Sequence, residues 1–129
     1  MPDQLLTIGE LAARVGLRPS ALRYYEARGL LEPAARVSGQ RRYAEAAADT
    51  VTVIQFCRSL GFALSEVQEL LQEPRGVAQR KRWRGLVDAK VTELDAAGRR
   101  IRAMKRILAA SRDCDCVDLE QCAAICSGV

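Results

Sequence analysis

Four cysteines near the end of the chain are the residues best suited to bind a metal. They lie within thirteen residues, spaced C-x-C-x5-C-x3-C, at Cys114, Cys116, Cys122 and Cys126. Because the protein contains no histidine, imidazole ligands and Ser-His-Asp or Cys-His catalysis are excluded. Thiolates without imidazole favour soft ions such as Cu(I), Ag(I), Hg(II), Zn(II) and Cd(II), or an iron–sulfur cluster, over hard cations. The cluster therefore predicts a metal site, with a merely structural set of thiols as the alternative.

A second group of residues suits binding to nucleic acid. Arg23 precedes Tyr24 and Tyr25 in the segment PSALRYYEARGL, Ser20 lies near its start, and the basic segment GQRRY follows downstream. A recognition helix reaches base edges with its early residues, while hydroxyl and guanidinium groups fix phosphates. The alternative is an amphipathic helix with core tyrosines and solvated arginines. The basic segment downstream favours the DNA-binding interpretation.

Two short predicted helices position these residues. Thr7 and Glu10 have the spacing of a capping box, and Gly16 stops the helix that they begin. Pro19 opens a second helix, which Gly29 ends. Two short helices joined by a turn of about three residues form a helix-turn-helix pattern.

A small basic hairpin, or wing, is predicted next. Ser38 and Gly39 form its tight turn, flanked by short strands at 36–37 and 41–43. A third helix is expected from about Ala44 to Leu60, and a fourth from about 64 to 71. On the third helix four residues are expected to share a buried face, which makes the cysteine among them a core thiol: Val53, Phe56, Cys57 and Leu60.

A long helix is predicted from about Gly76 to Arg112, where no proline interrupts the chain. Its length would be roughly 50 Å. Its apolar residues follow a heptad seam at Val87, Val91, Leu94, Ile101 and Leu108, with Met104 beside it. A lone helix of this kind would fray, so the seam predicts a partner helix, most simply from a second copy of the chain.

Charge is distributed unevenly along the 129 residues, whose net charge is +4. Residues 74–112 contain twelve basic and three acidic side chains, whereas residues 113–129 contain four acidic and no basic ones. Basic blocks indicate a polyanion partner. No apolar run approaches the ~18–20 residues of a membrane span, and the N-terminus lacks the pattern of a secretory signal. We therefore expect a cytoplasmic protein without a membrane partner, whose cysteines are thiols or metal ligands.

One long segment, TIGELAARVGLRPSALRYYEARGLLEPAARVSGQRRY, closely resembles the winged helix-turn-helix of the MerR family of bacterial transcription regulators. The segment VTVIQFCRSLGFALSEVQELL and the long helix after it resemble the later helices of that family. The resemblance covers essentially the whole chain. Its most specific part is RYYEARGLL followed by GQRRY at this distance.

The resemblance implies a mainly α fold with three parts. These are a winged helix-turn-helix DNA-binding domain over residues 1–73, a dimerisation helix over 74–112, and a Cys-rich effector-binding tail over 113–129. The dimerisation helices would form an antiparallel coiled coil in a homodimer. Such a regulator would bind a promoter whose two elements are separated by an overlong spacer. When its effector binds, it would bend and untwist the spacer, so that RNA polymerase engages both elements and transcription is activated.

The resemblance also implies which residues contact the double-stranded promoter DNA. On the second helix these would be Arg18, Ser20, Arg23 and Tyr24. On the wing they would be Arg36, Gln40, Arg41, Arg42 and Tyr43.

The cysteine spacing of the tail resembles that of two branches of the family. Cys114 and Cys122 have the pair spacing of the copper-sensing type, in which two thiolates hold Cu(I). Together with Cys116 they also match the last three cysteines of the redox-sensing [2Fe–2S] type, whose first cysteine would fall at Ser111. Cys126 would then be a fourth ligand at a position that the family does not use.

The preferred function is a MerR-type regulator that responds to Cu(I)/Ag(I) or to Zn(II)/Cd(II)/Hg(II)/Pb(II) held by the four tail thiolates. A redox-responsive regulator with a [2Fe–2S] cluster is one alternative, and an architectural DNA-binding protein with structural zinc is another. A thiol oxidoreductase is disfavoured because the chain lacks a C-x-x-C pair and a βαβ pattern. We therefore do not expect an enzyme.

Overall fold

The computed structural model describes residues 4–128 and is mainly helical, as the sequence predicts. The chain divides into two compact units, the first ending at Leu86 and the second beginning at Val87. The helices are α1 (Ile8–Val15), α2 (Pro19–Ala27), α3 (Ala46–Ser59), α4 (Leu64–Gln72), α5 (Val77–Ser111) and α6 (Leu119–Cys126). The strands are β1 (Leu6–Thr7), β2 (Ala35–Val37) and β3 (Gln40–Tyr43).

The predicted capping box begins α1. The Glu10 amide donates to Thr7 Oγ1 at 3.1 Å, and the Thr7 amide donates to Glu10 Oε1 at 3.0 Å. Two amides that would otherwise lack a helical partner are thereby satisfied. Gly16 ends the helix with φ 71°, in the left-handed region that glycine enters without steric cost. Pro19 occupies the first turn of α2, where its missing N–H costs no hydrogen bond.

The wing belongs to a three-stranded antiparallel sheet in the order β1-β3-β2. Ser38 and Gly39 both have positive φ, 53° and 79°, which is the geometry that a two-residue hairpin turn of this twist requires. In the register, Arg36 faces Arg41 and Leu6 faces Tyr43. The pairing of β1 with β3 is absent from the sequence prediction, because a two-residue strand gives no periodic signal.

The first unit is built around two apolar clusters. One joins α1, α2 and the sheet through fully buried side chains that include Leu11, Leu22 and Tyr43. The other packs α3 against α4, and in it the ring centroids of Phe62 and Trp83 lie 5.5 Å apart. The first turns of α5 therefore pack with the winged helix-turn-helix. The domain boundary after residue 73 stays a prediction.

The predicted buried face of α3 is partly wrong. Cys57 is buried, as expected, but Val53 and Phe56 are 42% and 57% exposed, and Leu60 is also exposed. Val51 and Ile54 fill the core instead. Apolar residues occur on both sides of this helix, so spacing alone does not identify the buried side.

The second unit consists of α5 from Val87 onward, the connecting segment 112–118 and α6. The predicted seam residues of this helix are mostly exposed, about half or more of each side chain being accessible, at Val91, Leu94, Ile101, Met104 and Leu108. In the part of the chain that the structure describes, no helix is long and apolar enough to cross a membrane.

Candidate functional site

The predicted contact residues of the recognition helix α2 are all exposed. Arg18 precedes the helix, and Ser20, Arg23 and Tyr24 follow in its first two turns. Leu22 is fully buried on the opposite side, which fixes the face that α2 turns outward. The guanidinium carbon of Arg28 lies 4.9 Å from the centre of the Tyr24 ring, a cation–π contact that holds the exposed ring.

Arg58 is a candidate DNA-binding residue that the sequence analysis missed. It comes from α3, yet it lines the same concavity of about 440 Å³ as Arg18, Ser20 and Tyr24. Its Nη1 lies 3.5 Å from the Phe62 carbonyl oxygen, to which it donates. Nothing in the local sequence around Arg58 indicates this neighbourhood, because it depends on how α3 packs against α2.

The wing presents arginines on both faces of its hairpin. Arg36 is exposed and lies opposite Arg41, so two positive side chains share one face. Gln40 and Arg42 alternate to the other face, where Arg42 Nη1 donates to Gln40 Oε1 at 3.2 Å. Arg36 and Gln40 are therefore exposed, and Arg41 and Arg42 are partly accessible.

Tyr43 is not available to DNA, which corrects the prediction. Its side chain is 0% exposed and belongs to the first apolar cluster. Its hydroxyl donates to Glu26 Oε2 at 2.7 Å, so that Tyr43 joins the wing to the recognition helix. Burial, together with the bond to Glu26, raises the pKa of Tyr43 to about 12. Strand alternation places Tyr43 on the same face as Arg41, but only the packing shows that it points into the core.

The four tail cysteines form two sulfur pairs. Cys114 Sγ and Cys116 Sγ, in the segment before α6, are 3.0 Å apart. Cys122 Sγ and Cys126 Sγ, one turn apart on α6, are separated by 4.0 Å. Asp118 caps α6 by accepting from the Gln121 amide at 2.8 Å, which fixes where the helix begins.

Contacts within these pairs shift the pKa values of the thiols. The hydrogen bond from Cys116 lowers the pKa of Cys114, and the same contact raises the pKa of Cys116 to about 11. Cys122, a member of the other pair, makes a smaller contribution to the raised pKa of Cys116. The hydrogen bond with Cys122 raises the pKa of Cys126. The first deprotonation of such a set is therefore easier than those that follow.

The donor set fits a soft metal ion, although the present arrangement is not a closed cage. Among residues 4–128, no three cysteine or carboxylate side chains are placed to hold one ion together. Sulfur atoms bonded to a tetrahedral zinc at about 2.3 Å lie roughly 3.8 Å apart. The two observed pairs, at 3.0 and 4.0 Å, bracket that separation.

Comparison with known families identifies the class. Residues 6–74 match the family described as "MerR HTH family regulatory protein", and residues 48–111 match the one described as "MerR, DNA binding". The fold and these matches define a DNA-binding transcription regulator rather than an enzyme. The chain belongs to the MerR family.

Individual relatives have different regulatory roles. The chain is 35% identical over 103 residues to the mercuric resistance operon regulatory protein of Bacillus cereus, covering 78% of this chain and 75% of that protein. It is 32% identical over 127 residues to a SoxR homolog, an HTH-type transcriptional activator of Chromobacterium violaceum, covering 95% and 84%. The crystal structure of PbrR691 from Ralstonia metallidurans CH34 in complex with lead(II) is similar, with 30% identity and a TM-score of 0.72. That similarity covers 88% of this chain and 90% of PbrR691.

Proposed function

We propose that this protein is a homodimeric, metal-responsive regulator of transcription. It binds promoter DNA, and it bends and untwists that DNA when a soft metal ion binds the tail. The observation that carries the proposal is the grouping of four thiols in two pairs at the end of a MerR-family chain. A cytoplasmic location, where cysteines stay reduced, is part of the proposal.

In this proposal α2 and the wing bind one half of the promoter site. The helix contributes Arg18, Ser20, Arg23 and Tyr24, and the wing contributes Arg36, Gln40, Arg41 and Arg42. Arg58 is added as a phosphate contact beside α2, because it shares a concavity with three of the helix residues. Arginines bind phosphates in a sequence-independent way, so bending and untwisting of the duplex would supply much of the specificity. RNA polymerase at the promoter is the expected partner of the distorted complex.

The exposed seam of α5 supports the homodimer. Val91, Leu94 and Ile101 recur at heptad-like spacing and are about half exposed in the single chain. A contiguous apolar stripe of this kind is stabilised when a second helix covers it. We propose an antiparallel coiled coil with a second copy of the chain, which would space two winged helices along one duplex.

The tail would hold the ion through Cys114, Cys116, Cys122 and Cys126. A bound soft cation supplies positive charge that keeps the thiolates deprotonated and ties the segment before α6 to α6 itself. The chain's own residues set the rest of the geometry: Asp118 caps α6, and the Val117 amide donates to Gln121 Oε1 at 3.0 Å. The candidate ions are Cu(I), Ag(I), Zn(II), Cd(II), Hg(II) and Pb(II).

A [2Fe–2S] redox regulator is the second candidate. It is favoured by the similarity to the SoxR homolog, which spans 95% of this chain, and by the spacing of Cys114, Cys116 and Cys122. Ser111 stands where that pattern has its first cysteine, and its hydroxyl donates to the Ile107 carbonyl oxygen at 2.7 Å. The fourth ligand would have to be Cys126 on α6.

Anaerobic purification followed by elemental analysis and a visible spectrum separates these candidates. An ion-responsive regulator takes up stoichiometric copper, zinc or lead and lacks iron and sulfide, whereas a cluster protein contains both and absorbs visible light. Replacing the four tail cysteines with serine should abolish metal uptake. The buried Cys57 provides the matched control, because Cys57→Ala removes a thiol but should leave uptake unchanged.

Transcription in vitro tests the regulatory part of the proposal. RNA polymerase, the protein and a promoter that it binds should give a transcript level that changes when the titrated ion is added. Metal uptake without any change in transcription would contradict regulation and would support an architectural protein with structural zinc. Absence of both metal uptake and a cluster would overturn the proposal.

A further inference from the structure

Glu26 is the one side chain of α2 that makes two charged or polar contacts with the wing among those the structure describes. Its Oε2 accepts the Tyr43 hydroxyl at 2.7 Å, and its Oε1 lies 3.0 Å from Arg41 Nε. The second contact is an ion pair without the alignment of a good hydrogen bond. The Glu26 side chain is only 16% exposed, whereas Arg41 is 40% exposed and keeps part of its guanidinium accessible.

Strand geometry explains why both contacts reach one carboxylate. Arg41 and Tyr43 are two residues apart on β3, so their side chains lie on the same face of the hairpin. Arg36 faces Arg41 from β2, and like charges directly opposite each other destabilise a hairpin. The negative charge of Glu26 offsets that repulsion from below the sheet. Tyr43 in turn is anchored by burial and by its pairing with Leu6.

The wing needs such an anchor. Apart from the two-residue pairing of β3 with β1, the hairpin has only its own two strands and ends in an exposed turn, and two strands alone are only marginally stable in water. Along the chain, the wing is connected to α2 by residues 28–34, which form no helix or strand. Leu30 and Leu31 of this connection are buried, and the Glu26 contacts add a direct side-chain link between the wing and α2.

We propose that Glu26 is a positioning residue for DNA binding, which fixes the wing at the distance and angle from α2 that one duplex requires. This inference rests on the DNA interface proposed above. A duplex presents its phosphates at set spacings, so two binding elements held at a fixed separation bind a specific site better than two that move independently. The attraction of arginines for any duplex depends on charge and not on that separation.

This difference gives the proposal a measurable signature. Glu26→Gln removes the negative charge that pairs with Arg41, while its amide oxygen still accepts from Tyr43. The lost negative charge strengthens non-specific binding, because it increases the net positive charge of the surface formed by α2 and the wing. The lost anchor weakens specific binding. We expect the ratio of specific to non-specific affinity to fall about tenfold.

Glu45→Gln is the matched control. Glu45 pairs with Arg14 at 2.9 Å on the surface of the same unit, so this variant removes the same charge and one ion pair without touching the wing contact. The full-length wild-type protein first selects a duplex from a randomised library. Its affinity for that duplex is then compared with its affinity for a random duplex of equal length. Glu45→Gln should keep the wild-type ratio within about twofold.

Two further readouts separate positioning from mere stability. Tyr43→Phe leaves the Arg41 ion pair and should lower the ratio by a smaller factor than Glu26→Gln. Hydrogen exchange should accelerate in β2 and β3 of the Glu26→Gln variant while α1 and α3 keep wild-type protection. Equal acceleration in all elements would show a general loss of stability and would overturn the positioning role.

Two outcomes distinguish a wrong role for Glu26 from a wrong DNA interface. If the wild-type protein selects a duplex but Glu26→Gln and Glu45→Gln have the same ratio, Glu26 does not position the wing. If the wild-type protein selects no duplex at all, the proposed DNA interface is wrong, and the inference is overturned with it.

Discussion

The two units of this protein are stabilised in different ways. Up to Leu86, side chains such as Leu11, Leu22 and Ile54 are fully buried, and the helices pack around two apolar clusters. Among the residues described from Val87 onward, only Lys90 is buried, and its ammonium group pairs with the Glu93 carboxylate at 2.9 Å. Val87 is half-buried, and the large apolar residues described after it are exposed. The first unit therefore has its own core, whereas the single chain leaves the large apolar side chains of the second unit uncovered.

Two neighbouring substitutions on α3 should show the largest difference between a buried and an exposed position of the first unit. Ile54→Ala should lower the free energy of unfolding of the first unit by about 2–5 kcal/mol, because it leaves a cavity in the core. Val53→Ala, next to it but 42% exposed, should cost less than about 1 kcal/mol. Urea unfolding followed by circular dichroism measures both. A larger cost for Val53→Ala than for Ile54→Ala would mean that α3 buries the face that the sequence analysis predicted.

A charged substitution on the exposed seam of the second unit should weaken dimerisation and leave the folding of the first unit unchanged. Val91→Asp should weaken dimerisation about 100-fold or more, since a symmetric interface carries each substitution twice. Thr92→Asp introduces the same charge at the adjacent position and should have a smaller effect. Analytical ultracentrifugation over a concentration series gives both dissociation constants. A wild-type protein that stays monomeric at all concentrations would contradict the proposed dimer.

Alkaline pH tests the buried hydroxyl of the first unit. Because the pKa of Tyr43 is raised to about 12 in the folded protein, the unfolded chain releases this proton first as pH rises above about 10. Stability present below pH 10 is then lost up to about pH 12, by at most roughly 1.4 kcal/mol per pH unit. Tyr43→Phe should lack this part of the pH dependence. Parallel curves for the two proteins would contradict the buried bond to Glu26.

Acidic pH tests the exposed capping box, for which the smallest effect is expected. Hydrogen bonds from Thr7 lower the pKa of Glu10, so its contribution to stability is present above the ordinary carboxyl pKa and disappears as pH falls through the lowered value. The difference in unfolding free energy between wild type and Glu10→Gln should therefore shrink between pH 7 and pH 3. A constant difference would show that the charge of Glu10 contributes nothing.

Local signals in the sequence predicted the elements that local chemistry determines. The capping box at Thr7, the proline that opens α2 and the turn at Ser38 and Gly39 were all predicted and are confirmed. The long helix was predicted within a residue at each end, because no proline interrupts it. By contrast, the buried face of α3 was partly wrong, and β1 was missed.

In the candidate site, too, some features follow from the local sequence and others depend on packing. Exposed arginines of α2 and the wing follow from residue type and helix or strand position, whereas the burial of Tyr43 does not, since a tyrosine suits a surface or a core equally. Arg58 and Glu26 were missed because their neighbours are distant along the chain. The cysteine spacing predicted a thiol cluster, but not that its sulfur atoms would form two pairs.

Local sequence is therefore sufficient to predict the helix ends, the hairpin turn, the basic character of the proposed binding surface and the soft character of the candidate ligands in the tail. These depend on backbone preferences and on side-chain chemistry within a few residues. Only the folded structure shows which face of α3 is buried, which wing residue enters the core and which carboxylate contacts the wing from α2. Those outcomes depend on contacts between residues far apart in the chain, which local physical preferences do not specify.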